Sequence, residues 1–176
     1  MAARIARFNK VSFDQFMKDW CNTFNLVSTD PNVRKDIESI YGGIELPTRA
    51  TTGSAGYDFY SPLTFSLEPG ETIKIPTGIR CWMSNGWVLM VSPRSGLGFK
   101  YRLQLDNTVG IIDEDYYYSD NEGHIFIKIT NDSKKDKTVE VLRGKGFAQG
   151  IFVPYGITVD DDADAVRNGG FGSTDK

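Results

Sequence analysis

Two textures of apolar spacing divide the chain. In SFDQFMKDWCNTF, residues Phe13, Phe16, Met17, Trp20 and Phe24 recur at the interval that lines up side chains on one face of a helix. Ser12 stands where an N-cap is needed, with Gln15 three residues on. A second short helix is predicted in DPNVRKDIESIYGG. There Asp30 caps, Pro31 sits in the first turn, where its missing N–H costs nothing, and Gly42 ends the run.

From Leu46 onward the helical interval disappears. TIKIPTGI, WVLMVSP, RLQLDNTVGII, HIFIKITND, TVEVLRG and FAQGIFVPY are short stretches rich in Val, Ile, Phe and Tyr, separated by glycine, proline and acidic turn residues. Many short strands at regular spacing imply an all-β fold, a jelly roll or distorted β-barrel. The predicted organisation is a helical N-terminal extension over 1–45, a β-rich body over 46–160, and an acidic linker with a glycine-rich tail over 161–176. The aromatic stripe of the first helix most simply packs on the body; a face for a protein partner is the alternative.

Composition narrows the function. A net charge of −3 argues against a general nucleic-acid binder, which needs a basic surface. The chain has two cysteines, Cys21 and Cys81, without metal-ligand spacing, so two free thiols in a reducing compartment are expected. His124 is the only histidine, which rules out a histidine-based metal cluster within one chain and suits a hydrogen-bonding role at a strand start. No apolar run reads as a membrane helix or a signal peptide, so a cytoplasmic protein is expected. The sequon at Asn131 is discarded for the same reason.

Five stretches look like binding loops. TTGSAGYDFYSP sets glycines and Ser54 before Asp58; SPRSGLGFKYR sets Arg94 and Ser95 beside Gly96; DNTVGIIDEDYYYSD carries Asn107, then Asp113 and Asp115 about an expected hairpin; RGKGFAQG brings Gln149 to a glycine turn. The tail RNGGFGST combines Arg167, Phe171, Ser173 and Thr174 with glycines, suited equally to a solvated terminus or to a flap over a phosphorylated, ring-bearing ligand. Singly, each is what a turn looks like.

Taken in order, GSAGYD, PRSGLG, NTVGIIDEDY, GFAQGIF and RNGGFGST resemble the five motifs of the trimeric dUTPase family, over about Leu46 to Thr174. The resemblance implies a β-barrel jelly-roll subunit, active sites shared among three chains, and hydrolysis of dUTP to dUMP and pyrophosphate. It assigns Asp113 to the water that attacks the α-phosphorus. An aspartate is a modest base at neutral pH, so holding that water in line would matter more than removing its proton. Asn107, Gly110 and Ile112 would form the uracil pocket, and Tyr116 would pack on deoxyribose where a 2′-hydroxyl has no room. Tyr117 and Tyr118 are expected to pack within the structure.

Arg94, Ser95 and Gly96 would contact the phosphates, and Gln149 would reach the α-phosphate. On the flap Phe171 and Gly172 would close on uracil, Ser173 and Thr174 on the terminal phosphates, and Arg167 on the γ-phosphate. Mg²⁺ would be held by the triphosphate and water, without a dedicated cage, with Asp58 as a structural or outer-shell group.

Two departures stand out: Gly146 where the fourth motif has the arginine that pairs with the aspartate at the Asp58 position, and Asp175 where a glycine is usual. For the first, Lys145 or Arg143 would compensate, or a different network would hold Asp58. The alternatives are a dCTP deaminase, which shares the fold but wants a glutamate beside the base, and a nucleotide-sensing module acting through the N-terminal helix. Glu114 and Glu122 are available acids, but exposure on a hairpin is their expected role.

Overall fold

Alternation of apolar and polar residues becomes a mainly β structure in the computed structural model, which describes residues 3–165 and 167–169. The N-terminal segment opens on a strand that its sequence did not announce: β1 (Ala6–Lys10) pairs antiparallel with β6 (Ile79–Met83), Phe8 opposite Cys81. The first forty-five residues are therefore not purely helical, because β1 takes its conformation from a partner seventy residues away.

The two helices follow local signals. In α1 (Phe13–Phe24) the Ser12 hydroxyl accepts the Gln15 N–H at 3.2 Å, and Asn25 closes the helix in the left-handed conformation. In α2 (Pro31–Gly42) Asp30 accepts the Asn32 N–H at 2.8 Å. Its last carbonyls at Ser39 and Ile40 accept from Arg143, so that arginine serves as a helix cap. The aromatic stripe faces inward: Phe16, Trp20 and Ile37 are buried in the same core as Ile75, Ile79 and Cys81. Both cysteines are free and buried, and burial pushes the Cys81 thiol up to about 12.

The body holds β2 (Thr48–Arg49), β3 (Tyr57–Tyr60), β4 (Phe65–Leu67), β5 (Thr72–Pro76) and β7 (Trp87–Pro93). After α3 (Ser95–Tyr101) come β8 (Leu103–Leu105), β9 (Gly110–Ile112), β10 (Phe126–Asn131), β11 (Val139–Val141) and β12 (Gly146–Pro154). Five strands form one sheet in the order β2-β3-β12-β7-β9, three form another in the order β5-β10-β8, and β4 pairs with β11. Ile127, Ile129, Leu89, Phe59 and Phe147 fill the core. Asn131 of the discarded sequon is wholly buried and donates to the carbonyls of Leu67 and Lys137, which leaves no amide for modification. Among the described residues, no helix is long and apolar enough to cross a membrane.

One connection positions the site. β8 and β9 form a hairpin, yet each arm pairs away from the other, β8 with β10 and β9 with β7. The slot between them is lined by main-chain edges that no ladder hydrogen bond in these sheets occupies.

Candidate active site

The open hairpin encloses a cavity of about 420 Å³, and Asn107, Gly110 and Ile112, the residues expected to receive a base, all line it. Asn107 sits in the turn, where Thr108 adopts φ 66° and Val109 N–H donates to the Asn107 carbonyl at 2.7 Å. Asp106, not anticipated, lines the same cavity and accepts from Lys128 at 2.6 Å and from Thr130. Those hydrogen bonds hold its carboxyl below the usual range.

Asp113 follows β9 directly. The expected continuation of the hairpin past it is replaced by a 3-10 turn, Glu114–Tyr118, with Asp113 at its N-cap. A hairpin would need an apolar–polar alternation, and EDYYY does not supply one. The turn places the Asp113 carboxylate half exposed beside Ile111, Ile112 and Tyr116 in a small cavity completed by Arg167. Tyr116 is buried and donates its hydroxyl to the His124 carbonyl at 2.7 Å; burial raises its pKa despite a hydrogen bond from Asn121. Tyr117 lies under the Arg80 guanidinium at 3.7 Å, but Tyr118 is exposed, against expectation, because the 3-10 geometry turns it outward.

Arg167 pairs with Asp113, and its Nε lies 2.9 Å from Asp115. The cation assigned to a γ-phosphate thus rests on the two carboxylates nearest to it. Phe171, Gly172, Ser173 and Thr174 lie outside the described residues.

A third group forms at the start of α3. Arg94, Ser95 and Thr108 line a cavity of about 310 Å³. Arg94 is the N-cap residue of α3, and Gly96 lies in its first turn, so this segment is a helix start and not an open loop. Asp58 and Gln149, also expected on loops, stand opposite one another on β3 and β12.

Asp58 finds its cation in Arg94, with Nε at 3.2 Å from Oδ1, and neither Lys145 nor Arg143 takes that place. Gly146 explains the exchange: a Cβ there would lie 3.0 Å from both Cδ and Nη1 of Arg94. The space that a fourth-motif side chain would fill is occupied by the arginine of the second.

Glu114 and Glu122, expected to be exposed on a hairpin, are engaged instead, because the 3-10 turn that replaces it brings them against neighbouring main chain. Glu114 accepts the Gly86 N–H at 2.6 Å, while Glu122 accepts the Ser12 N–H at 2.7 Å and its hydroxyl at 2.6 Å. Burial pushes the Glu122 carboxyl up, but the Ser12 hydrogen bonds and Arg80 outweigh it and hold the group below its ordinary 4.5. A carboxylate depressed by folding stabilises fully above its ordinary value and loses that contribution as pH falls through the native value. Melting temperature is therefore expected to drop on acidification below pH 4.5, and Ser12→Ala to flatten part of that loss. An acid limb identical in wild type and variant would remove Glu122 from the account.

Among the described residues no group of three or more His, Cys, Asp or Glu is placed to hold a metal.

The dUTPase family model matches residues 43–175. The deoxyuridine 5′-triphosphate nucleotidohydrolase of Lactococcus lactis is 43% identical over 135 residues, covering 75% of this chain and 89% of that protein. The Shigella flexneri serotype 5b protein of the same name is 38% identical over 151 residues, covering 81% and 91%. The crystal structure of a dUTPase from Streptococcus mutans superimposes with a TM-score of 0.57 at 38% identity, over 66% of this chain and 89% of that one. With the family model spanning three quarters of its length and the relatives matched nearly end to end, the chain belongs to the dUTPase family.

Proposed function

We propose that Asp113 orients the water that attacks the α-phosphorus of dUTP, giving dUMP and pyrophosphate. The activity is dUTP hydrolysis, as the family membership carries. The observation that supports this assignment is the position of Asp113, half exposed at the end of the hairpin arm whose Gly110 and Ile112 line the hairpin cavity. Main-chain groups of β8 and β9, with Asn107, would meet the uracil edge. Cytosine would leave donors and acceptors mismatched, and the thymine methyl would meet the closed end of the slot. Tyr116 would lie against deoxyribose.

Arg167 would exchange partners. A triphosphate offers a denser charge than two half-exposed carboxylates, so an arriving nucleotide would draw the guanidinium to the γ-phosphate and release Asp113 to bind water. Closure of the flap over 161–176, with Phe171 on the base and Ser173 and Thr174 on the phosphates, would exclude bulk water. Mg²⁺ would enter as Mg·dUTP and neutralise phosphate charge. Asp58, bound to Arg94, would support the phosphate end of the site from behind.

Several chains would be needed to assemble that site. In one chain the base slot, Asp113 and Arg94 border three separate cavities. On the five-stranded sheet Ile151, Met90 and Ile111 lie in one row, with Ile111 and Ile151 exposed. The adjacent row is Asp58, Gln149 and Ser92. A copy seated on the apolar row would be brought to the phosphate-facing row beside it, which supports a homotrimer with shared sites on a jelly-roll barrel. The test is pyrophosphate release from dUTP, dTTP, dCTP and UTP with Mg²⁺. Release from dUTP alone is expected; equal release from dCTP would refute the backbone reading of the base.

A further inference from the structure

Residues 3–42 lie outside the matched family region, yet polar side chains among them reach the segment that carries Asp113 and Tyr116. Ser12 holds Glu122 through its N–H and hydroxyl. Asn9 of β1 meets the Tyr117 hydroxyl at 3.5 Å. Asp19 of α1 lies 2.6 Å from Nδ1 of His124, whose ring is fully buried.

The histidine has a fixed orientation. Its Nε2 accepts the Gly78 N–H at 2.8 Å, which leaves the ring proton on Nδ1 to be donated to Asp19. Gln15 donates to the same Asp19 oxygen at 2.8 Å and steadies it from one turn earlier on the helix.

Behind the ring the chain folds tightly back on the 3-10 turn. Gly123 has φ 69°, and a Cβ there would lie 2.6 Å from the Tyr116 carbonyl oxygen, so this position admits glycine alone. The His124 carbonyl accepts the Tyr116 hydroxyl, and Asn121 donates to that hydroxyl at 2.8 Å. Tyr116 in turn borders the small cavity of Asp113. A path of hydrogen bonds thus runs from Asp19 through His124 to the ring proposed to sense the sugar.

We propose that Asp19 is a positioning residue for the Tyr116 ring: by holding His124 it fixes the carbonyl on which the Tyr116 hydroxyl rests, and so sets the wall that excludes a 2′-hydroxyl. The inference rests on the reading of Tyr116 as the deoxyribose contact. It gives the N-terminal extension a part in substrate discrimination beyond covering the core. Loosening the wall admits ribose more readily than it harms deoxyribose, since a sterically exclusive pocket loses selectivity first.

The experiment measures kcat/KM for dUTP and for UTP, with Mg²⁺, on wild type, Asp19→Asn and Asp19→Leu, beside thermal melts. Asp19→Asn keeps an acceptor for Nδ1–H and is expected to hold the dUTP-to-UTP ratio within about twofold, whereas Asp19→Leu leaves a buried donor unmet and lowers the ratio about tenfold or more. A folded Asp19→Leu protein with an unchanged ratio overturns the proposal.

A second readout needs neither turnover nor that variant. His124 is the chain's only histidine, so its Nδ1 proton gives a single imidazole resonance. In Asp113→Asn protein that resonance is expected to shift as Mg·dUTP is added and to shift less with Mg·UTP. A resonance that stays still while dUTP binds overturns the proposal. A wild type that hydrolyses no nucleotide counts against Asp113 chemistry instead, and the resonance still reports on the brace. If no nucleotide binds at all, both the site and the brace fall.

Discussion

Asp113→Asn protein is expected to bind dUTP nearly as wild type does and to release pyrophosphate about 10²–10⁴-fold more slowly, the usual loss on removing a group that orients or deprotonates the nucleophile. The substitution preserves size and removes charge, so the loss should appear in kcat with KM little changed. The charge also anchors Arg167, which would keep only Asp115 as its partner. A smaller, opposite effect on nucleotide binding follows, because the guanidinium no longer has to leave Asp113 before meeting a phosphate. Single-turnover pyrophosphate release and equilibrium binding of dUTP separate the two. Turnover within a few-fold of wild type would take Asp113 out of the chemistry.

Deleting residues 1–42 is expected to abolish soluble expression. Phe16 and Ile37 are almost wholly buried and Trp20 nearly so, and β1 is the strand paired with β6, so the deletion uncovers both a core face and a strand edge. Phe16→Ala alone should cost about 3–5 kcal/mol, against a typical domain stability of about 5–15 kcal/mol. The check is the soluble fraction of the truncated chain, beside the melting temperature of Phe16→Ala. A soluble truncated protein that melts like the full chain would show the helices to be attached and not integral.

The parts of the fold that could be read ahead were those with local causes. The caps of α1 and α2 are written within four residues of each helix start, and most strands announced themselves by β-branched and aromatic runs. β1, β2, β3, β4 and most of β6 did not: β1 exists because β6 offers it an edge, β2 and β4 are only two and three residues long, and β3 was masked by the glycines before it. The 3-10 turn after Asp113 was missed because five polar and aromatic residues carry no period.

For the site, motif order pointed to Asn107, Asp113, Arg94 and Gln149; within one chain the first three border three different cavities, and Gln149 stands opposite Asp58 on the five-stranded sheet. What stayed hidden was pairing at a distance. Arg94 meets Asp58 thirty-six positions earlier, and no local pattern says which cation fills the gap at Gly146. Asp19 and His124 are 105 residues apart, and a lone histidine in a sequence gives no hint of its partner.

The outward pairing of the β8 and β9 arms bears on how such a protein can change over time. A base read by main-chain groups is read by atoms that every amino acid supplies. Point substitutions along the slot would then alter speed, fit or folding while leaving the preferred letter as it was. A switch of base would require moving one arm against the other, through an insertion or a shift in strand register. Fidelity toward uracil would in that case be inherited with the backbone path, and drift in side chains could run far before touching it.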